Sequence, residues 1–265
     1  MDLMLADRVV LVTGGSKGIG AAIARAFVAE GAVVANVNRP GPEGEALQQE
    51  LAAEGGTCRL FAADLCDVQQ CARVVRDVLS AFGRIDVVVN NAGVNDGVGL
   101  EAGVEAFERS LRRNLVHYYA VVHHALPELK RHRGAIVNIG SKVSVTGQGG
   151  TSGYAAAKGA INALTREWAA DLARFGVRVN AVIPAEVWTP LYEKWLATFP
   201  DPAKARGAIE RLIPLGRRFT TPEEIADTVV FLASPRSSHT TGQLIFVDGG
   251  YTHLDRKLTA ADPQG

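Results

Sequence analysis

The sequence predicts an α/β fold: a single doubly wound domain in which a parallel seven-stranded sheet carries helices on both faces. Three observations predict it. Short apolar, β-branched runs alternate with helix-patterned stretches from residue 8 to residue 250, and no linker, charge run or repeat interrupts them. The first apolar run passes through a glycine-rich turn directly into a helical stretch. The 265 residues are 47% hydrophobic, enough to bury both faces of such a sheet. The expected domain spans 1–257, with a flexible tail at 258–265.

The elements follow in order. Residues 8–13 (RVVLVT) read as the first strand, GGSKGIG as its turn and AAIARAFVAEG as its helix. The glycines Gly14, Gly18 and Gly20 follow a G-x-x-x-G-x-G spacing, which is weak alone. Set between a strand and a helix N-terminus it predicts a phosphate site, where free N–H groups and the helix dipole favour an anion. Residues 32–38 (AVVANVN) form the second strand. An acid near this strand's end normally binds the adenosine ribose and rejects a 2′-phosphate. Here Asn38 is followed by Arg39, and Lys17 sits inside the glycine turn. That pattern favours NADP over NAD; the alternative for each cation is an ordinary solvated charge.

The helical PEGEALQQELAAEG precedes a strand, TCRLFAADL, whose Asp64 either holds an adenine edge or caps a helix. VQQCARVVRDVLSAFG is the next helix, and IDVVVNNAG the next strand. The latter ends in Asn91, Ala92 and Gly93, where strand C-termini open toward a cofactor. AIVNIG is the fifth strand and ends at Ser141; VRVNAVIP is the sixth and GQLIFVDGG the last. TPEEIADTVVFLA begins with a Thr cap, Pro at the first helical position and two early acids. Residues 189–215 are the most irregular stretch, the expected place of a substrate lid.

The chemistry concentrates in SKVSVTGQGGTSGYAAAK (141–158). Tyr154 and Lys158 are four apart in a helical run, so they share a face. An ammonium about 5 Å from a phenolate, at an effective dielectric of about 20, stabilises it by roughly 3 kcal/mol. That is about two pKa units below the usual value near 10, toward the range of general acid–base work. Ser141, at a strand end, can hold a substrate oxygen against the tyrosine.

Composition bounds the partners. Twenty-eight basic and twenty-eight acidic residues balance, so neither nucleic acid nor a membrane surface is an expected partner. No apolar run approaches a membrane span of about 18 residues. Cys58, Cys66 and Cys71 lack C-x-x-C spacing, and the N-terminus lacks a signal-peptide pattern; a cytoplasmic protein is expected. The six histidines have no acidic partner at ligand spacing, so no metal is expected and they read as solvated or packed.

TGGSKGIG, AADL, NNAG, Asn114, Ser141 and Tyr154-x-x-x-Lys158 together resemble the short-chain dehydrogenase/reductase superfamily over nearly the whole chain. The resemblance implies a Rossmann-type fold with Tyr154 as acid–base. It implies that Lys158 binds the nicotinamide ribose and lowers the tyrosine pKa, that Ser141 orients the substrate oxygen, and that Asn114, within the mid-chain helix, supports a relay water. It further implies dinucleotide contacts from Gly14, Ser16, Lys17, Gly18, Ile19, Gly20, Asn38, Arg39, Asp64, Leu65, Asn91, Ala92, Gly93, Pro184, Val187 and Thr189, and a homotetramer. Ala185 stands where the superfamily usually has glycine.

VNDGVGL, VTGQGGTSGY, NAVIPAEVWTPLY and VDGGYTHLDR resemble, within that superfamily, the L-fucose dehydrogenases. A pyranose has four hydroxyls that need partners when buried. Asn95, Asp96, Lys142, Gln148, Glu186 and Tyr192 supply a polar wall, with Trp188 beside them in the W-T-P-L element and Ser141 and Tyr154 at the reacting oxygen. Each wall residue could equally be a solvated loop residue. The resemblance implies oxidation of a sugar hydroxyl. A 3-oxoacyl-thioester or hydroxysteroid reductase is the sibling alternative, and a non-catalytic dinucleotide sensor the alternative in another class.

Overall fold

A computed structural model describes residues 1–254; the expected tail at 258–265 lies outside the described residues. The strands are β1 (Val9–Thr13), β2 (Val33–Asn38), β3 (Thr57–Ala62), β4 (Val87–Asn90), β5 (Ala135–Ile139), β6 (Arg178–Pro184) and β7 (Leu244–Val247). They form one sheet in the order β3-β2-β1-β4-β5-β6-β7, every pair parallel. Apolar, mostly β-branched residues fill the central strands because both faces are covered: Val10, Leu11 and Val12 are fully buried, as are Val88 and Val89.

Successive side chains alternate between two cores. Val10, Val12, Val137 and Ile139 face the side covered by α1 (Gly18–Ala29), α2 (Pro42–Ala53) and α9 (Pro222–Ala233). Leu11, Val88 and Ile136 face the side of α3 (Val68–Phe82), α5 (His117–His132) and α6 (Ser152–Ala173). The start of α9 is fixed as its sequence predicts: Thr221 Oγ1 accepts from Glu224 N at 3.3 Å, and Glu224 Oε2 accepts from Thr221 N at 2.8 Å.

Two local expectations change. Asn114 does not lie inside a regular α-helix; it occupies a π-helical turn, Arg112–Val116, joining α4 (Val104–Leu111) to α5. Such turns insert a residue into the helical ladder and often occur at functional sites. The irregular 189–215 stretch contains two short helices, α7 (Pro190–Leu196) and α8 (Pro202–Glu210), each with Pro at its start. The direction of winding reverses between β1 and β4, and a crevice opens over their C-terminal ends.

Candidate active site

A cleft of about 1230 Å³ runs along that crevice, ample for a dinucleotide with a small substrate. At its floor the glycine turn is tied to β4. Asn91 Nδ2 donates to the carbonyls of Thr13 and Gly14, each at 3.0 Å, and Thr13 Oγ1 accepts from Asn91 N and Ala92 N. A Cβ at Gly20 would sit 2.1 Å from the Gly14 carbonyl oxygen, so only glycine lets the helix start this close to the strand. No side chain caps α1, leaving its first-turn N–H groups directed at the cleft. This cradle fits a pyrophosphate, and Gly14, Lys17, Gly18, Ile19 and Gly20 line it.

Further along, Asn38, Arg39, Asp64, Leu65, Asn91, Ala92, Gly93, Pro184, Val187 and Thr189 also line the cleft. Ser16 does not: it is buried and accepts a bond from Asn36 Nδ2 at 3.3 Å, so its side chain faces the core. Lys17 is not an unopposed cation. Glu43, at the start of α2, lies 3.5 Å from its Nζ, and its carboxyl is held below the usual range by a backbone hydrogen bond and then by Lys17. A carboxylate therefore does stand beside Lys17, reached from α2 and not from the end of β2.

The four catalytic candidates converge at the end of β5. Ser141 caps a short 3₁₀ turn and hydrogen-bonds the Tyr154 side chain. Lys158 is buried; its Nζ donates to the Ile139 carbonyl at 2.7 Å and the Tyr118 hydroxyl at 3.1 Å, and lies 5.5 Å from the Tyr154 ring centre. Asn114 Oδ1 accepts from Val94 N at 2.7 Å and its Nδ2 donates to the Ser110 carbonyl at 3.1 Å. The asparagine thus braces the Gly93–Val94 loop beside Lys158, with a Cβ at Gly93 falling 3.1 Å from its Oδ1 and 3.7 Å from Lys158 Nζ.

The electrostatics differ from the expectation of a phenol drawn toward neutrality. Burial pushes the Tyr154 hydroxyl up to about 12, with the Ser141 bond acting against it. Burial also pushes Lys158 down to about 7. Burial is the largest cause at both groups, and desolvation penalises the charged form of each, phenolate and ammonium alike.

The substrate-wall candidates separate into three groups. Lys142, Glu186 and Tyr192 come together: Glu186 Oε1 meets Lys142 Nζ, and Glu186 Oε2 accepts from the Tyr192 hydroxyl at 2.6 Å. Burial, then the neighbouring Glu186, raises the Tyr192 hydroxyl far above its ordinary range. Gln148 and Asn95 line the cleft as expected, Asn95 accepting from Thr151 Oγ1 at 2.5 Å. Two candidates face elsewhere. Trp188 packs its ring on Phe219 (5.2 Å) under Arg206 (4.2 Å), outside the cleft lining. Asp96 accepts from Ser110 Oγ at 2.8 Å and pairs with Arg113 at 3.6 Å.

Tyr251 and His117 are among the residues that escaped the sequence reading. Tyr251 is outside the cleft lining, but its ring lies under Lys142, its centre 4.1 Å from Nζ, although it belongs to the segment after β7. His117 lines the cleft and is buried; the only signal was its place three residues after Asn114. Among the described residues no cluster of His, Cys, Asp or Glu is arranged for a metal ion, and no helix is long and apolar enough to cross a membrane.

Residues 14–252 match the family model described as enoyl-(acyl carrier protein) reductase. The chain belongs to the short-chain dehydrogenase/reductase family. Within this oxidoreductase family it is 42% identical to the L-fucose dehydrogenase of Mus musculus over 247 residues, covering 92% of this chain and 88% of that one. It is 37% identical to the 3-oxoacyl-[acyl-carrier-protein] reductase FabG of Thermotoga maritima, covering 94% of this chain and 99% of the reductase. The solved structure of Cj0485 dehydrogenase superposes with a TM-score of 0.92 at 46% identity, covering 98% of this chain and 99% of that one. Short-chain dehydrogenase/reductases use a nicotinamide dinucleotide, which the glycine cradle of this chain fits.

Proposed function

We propose that this enzyme oxidises the anomeric hydroxyl of L-fucose, or of an aldose of the same configuration, to the lactone, with NADP preferred over NAD. The observation that carries the substrate is the Lys142–Glu186–Tyr192 chain in the cleft beside Ser141 and Tyr154, with Glu186 buried and its two partners half-buried. Buried polar groups of this kind favour a ligand that returns their hydrogen bonds, as a sugar does and a steroid does not. The similarity to L-fucose dehydrogenases supports the same reading.

A bound nicotinamide supplies the hydride acceptor. Ser141 holds the substrate oxygen, and Tyr154 takes its proton. Lys158 keeps a proton donor within the tyrosine's surroundings, and Asn114 fixes the loop against which they pack. Gln148 and Asn95 offer further partners to the ring hydroxyls, and helices α7 and α8 act as the lid. Arg39 is the principal attraction for a 2′-phosphate, since Lys17 is shared with Glu43. We place the enzyme in the cytoplasm as a homotetramer, paired through the outer faces of α5 and α6.

The second reading is reduction of a 3-oxoacyl thioester, favoured by the similarity to the Thermotoga reductase. Dinucleotide turnover measured against a panel of aldoses, a hydroxysteroid and an acetoacetyl thioester separates the two. Oxidation of L-fucose, L-galactose or D-arabinose is expected. Activity on the thioester alone would overturn the sugar reading.

A further inference from the structure

We propose that Thr151 is a positioning residue for substrate recognition: its hydroxyl fixes the Asn95 amide so that Nδ2 is held as a donor to a substrate oxygen in the cleft. The proposal rests on the sugar-oxidising reading above and names a specificity element of that same site. Thr151 is the N-cap of α6, the helix that carries Tyr154 and Lys158, and it is 4% exposed. A threonine in this place ordinarily turns its hydroxyl back onto the second or third N–H of its helix. Thr151 does not: its side chain makes no capping bond, and its Oγ1 donates to Asn95 Oδ1 at 2.5 Å. The second N–H of α6, that of Gly153, goes instead to the Val98 carbonyl at 3.0 Å. Only glycine fits there, because a Cβ at 153 would lie 2.5 Å from Ser110 Oγ and 3.4 Å from the Val98 side chain. The loop that carries Asn95 thus caps the helix in place of the threonine, and the hydroxyl is released for Asn95.

The orientation of the amide follows from its partners. Gly97 N lies 3.3 Å from Asn95 Oδ1 and can only donate, so that atom is the carbonyl oxygen. Oδ1 receives both the Gly97 N–H and the Thr151 O–H, and the two hydrogens of Nδ2 go to no other group among the described residues. Asn95 lines the cleft with Ser141, Gln148 and Tyr154. It is exposed there, and an unheld amide in water turns between its donor and acceptor ends. The Gly97 bond is long and local, two residues away. The Thr151 bond is short and comes from a buried hydroxyl one helical turn before Tyr154. That hydroxyl therefore sets the donor relative to the reacting phenol. The group it selects is an oxygen: a substrate hydroxyl or carbonyl accepts from Nδ2, whereas an apolar ring that displaces water leaves it unpaired.

The test uses the full chain as Thr151→Val, which removes the hydroxyl at nearly equal shape, Thr151→Ser, which keeps it, and Asn95→Ala alone and combined with Thr151→Val. Steady-state kinetics on L-fucose and thermal unfolding are measured for each, with dinucleotide affinity by tryptophan fluorescence. Thr151→Val is expected to raise KM about fivefold, the affinity equivalent of one net hydrogen bond. Its kcat and dinucleotide affinity should stay nearly unchanged, and Thr151→Ser should restore most of the KM. Asn95→Ala should raise KM as well, and adding Thr151→Val to it should change KM no further. An unchanged KM in Thr151→Val, or an equal KM penalty in both backgrounds, would overturn the proposal. Thermal unfolding decides without activity. If the hydroxyl serves Asn95, Thr151→Val lowers the melting temperature in the wild-type background and not beside Asn95→Ala. Equal lowering in both backgrounds would make Thr151 a support of the helix alone and refute the proposal. If the wild type oxidises no aldose, the sugar reading fails, and the melting comparison still decides the role of Thr151.

Discussion

The Tyr192 hydroxyl donates to Glu186 Oε2 at 2.6 Å while the other oxygen of that carboxylate meets Lys142. Glu186 is 8% exposed, so this carboxylate joins β6 to α7 through charge that has left water. Breaking a buried pair by removing one member typically costs about 3–5 kcal/mol, because the remaining charge is stranded. Glu186→Ala is therefore expected to lower thermal stability as well as raise KM for the sugar, by roughly tenfold or more. Affinity for NADP should hardly change. Calorimetry and steady-state kinetics on one preparation check both; an unchanged melting temperature would mean that the pair is not formed in solution.

Tyr154→Phe is expected to abolish turnover while leaving dinucleotide binding intact, since it deletes the proton acceptor and little else. General acid–base groups contribute about 10²–10⁴-fold. A variant retaining more than about a tenth of the wild-type rate would remove Tyr154 from that role.

The pH dependence follows from burial. With the phenol pushed up to about 12, its basic form grows with pH, so kcat/KM for oxidation should climb from pH 7 through 9. A plateau already reached at pH 7 would show that the working enzyme draws the phenol down.

Stability should respond to Lys158 in a definite direction. Its pKa falls from 10.5 to about 7 on folding, so between those values the unfolded chain binds the extra proton. Stability from this group is full above 10.5, falls by up to about 1.4 kcal/mol per unit as pH drops toward 7, and stays low below it. Lys158→Met is expected to be inactive yet to melt higher than wild type at pH 7. Denaturant unfolding at pH 7 and pH 9 measures the difference, and a lower midpoint for Lys158→Met would contradict it.

Cofactor preference should depend on Arg39 more than on Lys17, which Glu43 already engages. Arg39→Ala is expected to weaken NADP far more than NAD, and Asn38→Asp to turn preference toward NAD. Equal losses for both cofactors in Arg39→Ala would reduce the arginine to a solvated charge.

Much of this was legible in the residues. The alternation of β-branched runs with helical patterns determined a doubly wound parallel sheet, because a strand buried on both faces has no other composition. The glycine turn was readable because Gly14 and Gly20 answer a local need for backbone approach. Tyr154 and Lys158 were readable because a helix fixes what lies four residues on. Tertiary structure decided what depends on distant segments. Ser16 turns inward because β2 brings Asn36 against it, and Lys17 acquires Glu43 because α2 begins beside the turn. Trp188 is drawn out of the cleft by Phe219 and Arg206. The regular helix expected around Asn114 yields to a π turn that presents both Asn114 and His117. Burial depth sets the pKa of Tyr154 and Lys158, and it belongs to the packed chain: desolvation sums over every neighbour, whereas spacing along the sequence reveals only the nearest charge.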